Sequence, residues 1–493
     1  MTTPARRHGL YVDGAFYRDP SQDAARVTGE REVLNPATGE MVGTVPTGGR
    51  DLARHAIAQA SEAFSSWRNR TGKERGTFLF RWRDAVEARA DELAETITRE
   101  NGKPIEQAEG EVSATLDHLR WFAEEARRGY GRVVPGQAEG KRHYVVKQPV
   151  GVVGAISPWN FPLVLAVRKA APALAAGCPV VLKPADRTPL CCAILAECAD
   201  EAGLPAGTFN FVLGPPAEIA DEMIENDACR KITFTGSTRV GRSLMQKAGP
   251  YVKDLSLELG GNGPFVVFAD ADVEQAVEEA LAAKYRNTGQ SCIAANRFFV
   301  QKEIADAFTD AFVQATRDLK VGAGMEGGVD VGPMIDGDAV EQGLSYVEEA
   351  ADQGAEVLCG GERLDGDAYG AGHFMAPTVL GKVHDDMRCM TEETFAPLAP
   401  IAPFETFDEA VERANDTIYG LSAYVFSSDF STALRAGEEL EAGTVGINDG
   451  VPSTTDCPFG GMKQSGLGRE LGKEGMEAFL KTKHMSAGVQ DQP

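Results

Sequence analysis

From Gly151 onward, short apolar runs alternate with helical patterns, and this alternation constrains the fold more than any other feature of the 493-residue chain. Val152-Val153-Gly154-Ala155-Ile156 reads as a buried strand, and the helical stretch 163–176 that follows ends at Gly177. A strand at 179–182 precedes a helix at 190–202, which Gly203 and Pro205 stop. Strands at 209–213, 231–234 and 255–259, with helices at 217–225 and 238–248 between them, complete the series. Parallel neighbours need crossovers of a dozen or more residues, and helices of this length supply them. The pattern therefore predicts an α/β fold with a doubly wound parallel sheet and a ligand site at the carboxyl edge of that sheet.

On the amino-terminal side, 51–67 and 73–100 read as charged amphipathic helices, with a further helical segment up to about Tyr130. The stretch 132–149 changes character: Val133-Val134-Pro135-Gly136 and His143-Tyr144-Val145-Val146 look like two strands around a polar turn, forming an arm. After Leu259 a second α/β series begins with Phe265-Val266-Val267-Phe268 and a helix for which Asp272 is the expected N-cap. Two lobes meeting near residue 260 are thus expected, with no fixed-period repeat.

Lys plus Arg number 49 and Asp plus Glu 73, for a net charge of −24. Such a field repels phosphate backbones, so nucleic acid is excluded as a general partner, and the plain reading is a solvated acidic surface. The initial positive charges have no apolar run behind them, and the most apolar stretch, 163–182, contains Arg168, Lys169, Pro172 and Pro179. Neither a signal peptide nor a membrane span is expected, which points to the cytoplasm. Nine cysteines are too sparse for a disulfide scaffold, and Cys191, Cys192 and Cys198 read as small core residues. No CxxC or paired histidines suggest a metal site.

Three segments carry candidate chemistry. Asn287-Thr288-Gly289-Gln290-Ser291-Cys292 is a polar, glycine-containing loop, in which the thiol is either an ordinary surface group or a nucleophile facing a cleft. Glu258-Leu259-Gly260-Gly261 ends an apolar strand with a carboxylate, either a solvated strand end or a general base raised by burial. Phe234-Thr235-Gly236-Ser237-Thr238 is a strand, turn and helix start, where free N–H groups and the helix dipole suit a pyrophosphate, although the chain has no GxGxxG here.

Together with Pro158-Trp159-Asn160-Phe161-Pro162, Lys183-Pro184-Ala185, Glu393-Thr394-Phe395-Ala396-Pro397 and Pro458-Phe459-Gly460-Gly461, these segments resemble the aldehyde dehydrogenase superfamily over nearly the whole chain. The resemblance implies NAD(P)-dependent oxidation of an aldehyde to a carboxylate through a cysteine thiohemiacetal and thioester. It implies an aldehyde dehydrogenase-like fold: a cofactor domain of residues 1–130 and 148–259, a catalytic domain of 260–470, and an oligomerisation arm and tail of 131–147 and 471–493. A homodimer or homotetramer follows. It gives Cys292 the role of nucleophile, Asn160 that of oxyanion donor and Glu258 that of the base that activates water. Ile156, Trp159, Lys183, Asp186, Gly236, Ser237, Glu393 and Phe395 fall at the cofactor. Asp186 stands where NAD-preferring relatives usually carry Glu. It disfavours a 2′-phosphate and so favours NAD, while leaving room that Arg187 could use to reach that phosphate. Ala396 replaces a usual glycine.

Within the superfamily, Tyr285-Arg286-Asn287-Thr288-Gly289-Gln290-Ser291-Cys292, Asn448-Asp449-Gly450-Val451-Pro452-Ser453 and the run from Pro458 to Glu470 look most like succinate-semialdehyde dehydrogenases. That likeness assigns Arg168, Arg286 and Ser453 to the substrate's distal carboxylate, a role that suits a guanidinium because it binds both oxygens at once. Read alone, Arg168 is a surface ion pair and Arg286 an internal salt bridge. Ala294 occupies the position of the subfamily's second, redox-regulating cysteine, so no disulfide switch is expected there. Glutarate semialdehyde, one methylene longer, is the alternative substrate. An apolar aldehyde is disfavoured by the arginines, and a CoA-acylating reaction by Glu258. A cofactor-free cysteine hydrolase lacks a nearby histidine in the sequence, and a non-catalytic protein with this fold would have no use for Cys292, Glu258 and Asn160 together.

Overall fold

The computed structural model of the chain describes residues 6–23, 25–366 and 368–489, and two large sheets organise it. The first runs, in spatial order, Gly466–Leu467, Asp254–Glu258, Cys229–Thr235, Val152–Ile156, Val180–Lys183, Phe209–Phe211, Leu10–Val12 and Ala15–Tyr17. Its five central strands are parallel. Chain order reverses between Val152–Ile156 and Cys229–Thr235, so the expected doubly wound sheet is present. Its switch point lies at the carboxyl ends near Ile156 and Thr235, where open α/β sheets bind ligands. Helices cover both faces, which is why Val180–Lys183 is buried at every residue and reads as a continuous apolar run.

The crossover helices are Pro162–Ala176, Leu190–Glu201, Pro216–Glu225 and Thr238–Ala248, within a residue or two of the expected bounds. Gly177 ends the first in the left-handed conformation, at φ 98°. The expected helix at 73–100 is instead two, Gly72–Glu87 and Ala90–Asn101. The break falls at Arg89, whose guanidinium binds Glu92 and, across the fold, Glu197. No glycine or proline marks it in the sequence. The short strands Leu10–Val12, Ala15–Tyr17 and Gly466–Leu467 were also unforeseen. They are antiparallel additions, too brief to show a period, held by pairing to Phe209–Phe211, to each other and to Asp254–Glu258.

The second sheet runs Glu356–Cys359, Thr378–Gly381, Leu398–Phe404, Ala295–Gln301, Gly263–Val267, Ser422–Phe426 and Thr444–Ile447, parallel except for its first strand. Asp272 caps the helix Val273–Tyr285, accepting from the N–H groups of Glu274 and Gln275. One apolar cluster is drawn mostly from 10–259, and two others from 265–442. Cys191, Cys192 and Cys198 are buried in the first.

The arm is a third sheet. Arg132–Pro135 pairs with Lys141–Pro149, and Leu480–Gly488 pairs with the other edge of Lys141–Pro149 from Leu480↔Pro149 to Gly488↔Lys141. The carboxyl-terminal segment divides: Leu471, Met476 and Phe479 pack into the first core, and only the strand beyond them joins the arm. Among the described residues, no helix is long and apolar enough to cross a membrane.

Candidate active site

The loop before Cys292 is built against local preference. Asn287 (φ 50°), Thr288 (φ 60°) and Gly289 (φ 71°) form a left-handed run, which costs roughly 1–2 kcal/mol per non-glycine residue. Tertiary hydrogen bonds hold it there. Asn287 Nδ2 donates to the carbonyl oxygens of Asn160 (2.9 Å) and Gln290 (3.2 Å), and its backbone N–H donates to Gln107 Oε1 at 2.8 Å. Thr288 Oγ1 donates to the Gly332 carbonyl at 3.0 Å, and Gln290 Oε1 accepts from Ile335 N–H at 2.8 Å. The turn after Glu258 passes directly beneath: a Cβ at Gly261 would lie 2.2 Å from the Cys292 carbonyl oxygen, so only glycine fits. The glycines in one motif thus answer to the cysteine in the other.

Glu258 ends its strand fully buried, and neither carboxylate oxygen has a hydrogen-bond partner. Burial first, then the nearby Glu470, raises its pKa well above the usual carboxylate range. Glu470 itself pairs with the buried Lys169 at 2.6 Å. Burial, then Glu393, pushes the Cys292 thiol up to about 12, so the thiol rests protonated. Asn160 Nδ2 donates one N–H to the Gln290 carbonyl at 3.0 Å, leaving its second free. Its backbone carbonyl accepts from Lys103 Nζ at 2.8 Å. Lys103 pairs with Glu111 at 2.6 Å, and Glu111 Oε1 accepts from Leu163 N–H (2.9 Å) and Val164 N–H (3.2 Å), capping the helix Pro162–Ala176 from a distance. Sequence reasoning gave no role to Lys103, Gln107, Glu111, Lys169 or Glu470: the first four belong to no local motif, Glu470 only ends the run from Pro458, and only the fold brings them here.

Two cavities open at the switch point. One, of about 580 Å³, is lined by Ile156, Trp159, Asn160, Lys183, Asp186, Gly236, Ser237, Glu393 and Phe395, the whole expected cofactor set together with Asn160, the expected oxyanion donor. Its features fit a dinucleotide. Ser237 caps Thr238–Ala248, whose positive end faces the cleft, and a Cβ at Gly236 would collide with the Phe234 ring at 2.4 Å. Glu393 accepts from Gly261 N–H at 3.0 Å. Lys183 Nζ lies 2.8 Å from Asp186. Arg187 does not stand free for a phosphate: it pairs with Asp336 of the other lobe. A second cation near Asp186 is Arg31, 3.6 Å away on a strand that sequence reasoning did not connect to the site.

The other cavity, of about 510 Å³, is lined by Arg168, Arg286 and Ser453 together with Phe161, Phe459 and His118. Arg168 lies over the Phe459 ring (4.8 Å) and Arg286 over the Phe161 ring (5.1 Å). Among the described residues neither arginine forms an ion pair, so the salt bridges that each position suggested alone are not observed. Burial lowers the pKa of both. Two desolvated cations without an ion-pair partner favour an anion, since the carboxylates in the same lining, Glu111 and Asp117, are engaged by Lys103 and Thr455. Cys292 lines both cavities. Glu258 is among the lining residues of neither, but acts electrostatically on Cys292, and its Oε1 is 2.9 Å from where a Cβ on Gly460 would stand.

A dinucleotide cleft and an anion-seeking pocket that share a thiol define an oxidoreductase. The sequence profile of the Aldehyde dehydrogenase family matches residues 24–485, and the chain belongs to that family. It is an NAD(P)-dependent enzyme of aldehyde oxidation. The chain is 46% identical to the NADP-dependent succinate-semialdehyde dehydrogenase of Escherichia coli K12 over 93% of its own length and 94% of the relative. To the glutarate-semialdehyde dehydrogenase of Pseudomonas putida it is 45% identical over 98% of each. Its fold is shared with the solved succinate-semialdehyde dehydrogenase of Burkholderia pseudomallei at a TM-score of 0.94 and 46% identity, covering 98% of each chain.

Proposed function

We propose that the enzyme oxidises succinate semialdehyde to succinate, with Cys292 as nucleophile. The observation that carries this reading is the placement of Cys292 at the meeting of the dinucleotide cleft and a cavity holding two unpaired arginines. The distal carboxylate binds Arg168, Arg286 and Ser453, and this places the aldehyde at the thiol. Cys292 Sγ bonds to the aldehyde carbon as its proton departs. The free N–H of Asn160 and the Cys292 backbone N–H stabilise the resulting alkoxide, a contribution of about 2.7–4 kcal/mol per donor. A dinucleotide held by Lys183, Asp186, Ser237 and Glu393 would supply the acceptor for the hydride that leaves the thiohemiacetal carbon. A thioester remains on Cys292. Glu258, once ionised, takes a proton from water, whose oxygen attacks the thioester carbon, and the thiol leaves with a proton. Aldehyde, oxidised cofactor and water become acid, reduced cofactor and a proton.

The test is a substrate panel. Arg286→Ala is expected to raise KM for succinate semialdehyde about 30-fold or more, the loss expected when one partner of a buried charge contact is removed. Butanal oxidation stays within twofold. A uniform effect across the panel rejects the clamp. Glutarate semialdehyde is the second reading, favoured by the 45% identity to the Pseudomonas putida enzyme, and a better kcat/KM for it than for succinate semialdehyde would establish that order.

NAD is the preferred cofactor in this reading, because the Asp186 carboxylate opposes a 2′-phosphate. Asp186→Ala leaves Lys183 and Arg31 facing the ribose without a carboxylate and is expected to raise kcat/KM for NADP about tenfold. A wild-type preference for NADP overturns this part of the proposal.

Residues 6–130 and 148–259, with Gly466–Leu467 and 471–479, make up the cofactor domain, the rest of 260–470 the catalytic domain, and 131–147 with Leu480–Gly488 the arm. The arm exposes Val133, Tyr144 and Met485, which supports a homodimer or homotetramer with the arm at the interface. All nine cysteines are unpaired, which supports a cytoplasmic site of action.

A further inference from the structure

The cavity that holds Arg168 and Arg286 contains a polar group to which the reaction above gives no role. His118 lies on the helix Ile105–Glu125, one face of which also presents Glu111 and Ala114 to the same cavity. It is 2% exposed, and its Nδ1 has no hydrogen-bond partner. Its sequence neighbour Asp117 is engaged by Thr455, whose hydroxyl donates to the carboxylate. Arg168 acts electrostatically on the imidazole, and its own Nε is likewise buried without a partner. Two unpartnered nitrogens, one charged and one neutral, therefore belong to side chains that line a single cavity. Burial and then Arg168 hold the His118 pKa well below its usual value, so the ring is neutral and offers one N–H.

An unpaired buried polar group lowers stability unless a ligand satisfies it, and a wall needed only for shape would be served by an apolar side chain. We propose that His118 is a specificity-determining residue that donates a hydrogen bond to the acidic head of the substrate, as a third donor beside Arg168 and Arg286. This inference rests on the carboxylated-aldehyde reading above. It goes beyond the clamp by adding a neutral donor on a different helix from either arginine.

The experiment compares 4-oxobutanoate with butanal, which has the same carbon count and no acid. His118→Phe keeps a flat ring but no donor, and is expected to lower the kcat/KM ratio of 4-oxobutanoate to butanal roughly tenfold, through KM. His118→Asn restores an N–H and recovers at least a third of that loss. The proposal is overturned if His118→Phe leaves the ratio unchanged, or if His118→Asn and His118→Phe behave alike. Equal losses on both substrates, with thermal unfolding unchanged, also overturn it by showing a role in shape alone. Arg286→Ala separates the two claims. If Arg286→Ala lowers the ratio and His118→Phe does not, the clamp stands and the His118 assignment falls; if neither does, the carboxylated-aldehyde reading falls with it.

Discussion

Cys292→Ala is expected to reduce aldehyde oxidation by about 10⁴-fold or more, read as the absorbance of reduced cofactor, because no other nucleophile reaches the junction of the two cavities. The side chain is small and half-buried, so its truncation leaves the cofactor cleft intact, and quenching of protein fluorescence by NAD stays within twofold of wild type. Cys292→Ser remains nearly as inactive, since a hydroxyl is far less nucleophilic than sulfur at the same place. Residual activity above about one per cent in Cys292→Ala would place the covalent chemistry elsewhere. The thiol rests protonated, its pKa pushed to about 12 by burial and Glu393, so alkylation at Cys292 by iodoacetamide, read by peptide mass spectrometry apart from the exposed Cys457, is slow at pH 7 and accelerates with pH.

Glu258→Gln separates the two halves of the reaction. The first turnover still releases reduced cofactor, so rapid mixing shows a burst approaching one equivalent per active site. Steady-state turnover then falls about 10²–10⁴-fold, because the acyl-enzyme has lost the base that activates water. Mass spectrometry of the quenched enzyme finds the acyl group on Cys292. A linear time course without a burst sinks this assignment. The pH dependence follows from burial. Glu258 has a folded-state pKa raised well above its unfolded value, so the neutral form is the one the fold favours. The stability associated with that neutral form is complete at low pH and is lost as pH rises through the raised value. Activity runs the other way: deacylation needs the carboxylate, so wild-type turnover rises as pH passes upward through that raised value. In Glu258→Gln that component of the rise disappears.

Much of this arrangement is legible before folding is considered. Five parallel strands and their crossover helices follow from apolar runs punctuated by Gly177, Gly203 and Pro205, because a strand buried on both faces has little choice of residue. The eight residues resembling a cofactor set all line one cleft, and the three resembling a carboxylate clamp line the other. The supports of the site escape such reading. Lys103 and Glu111 are ordinary charged residues in their local context, and only the packing of Ile105–Glu125 against Pro162–Ala176 turns them into the brace that holds Asn160. Arg89 breaks a helix for the sake of Glu197, more than a hundred residues away. Arg187 looked free and is engaged by Asp336, whereas Arg31 reaches Asp186 from a strand that carries no signature at all. Long-range ion pairs leave no period behind them.

The return of the chain to its first core bears on how the protein is made. Leu471, Met476 and Phe479 fill the first core, Gly466–Leu467 extends the first sheet beside Asp254–Glu258, and Leu480–Gly488 completes the arm. A ribosome therefore delivers the amino-terminal lobe with an open edge and an unfilled core, and the missing pieces emerge only after the entire second sheet has been synthesised. Contacts of such high sequence separation form slowly and leave apolar surface exposed in the meantime. A nascent chain that stalls within the second lobe is thus not a finished cofactor domain with an unfinished neighbour. It is one incomplete body, and cellular quality control meets it as such.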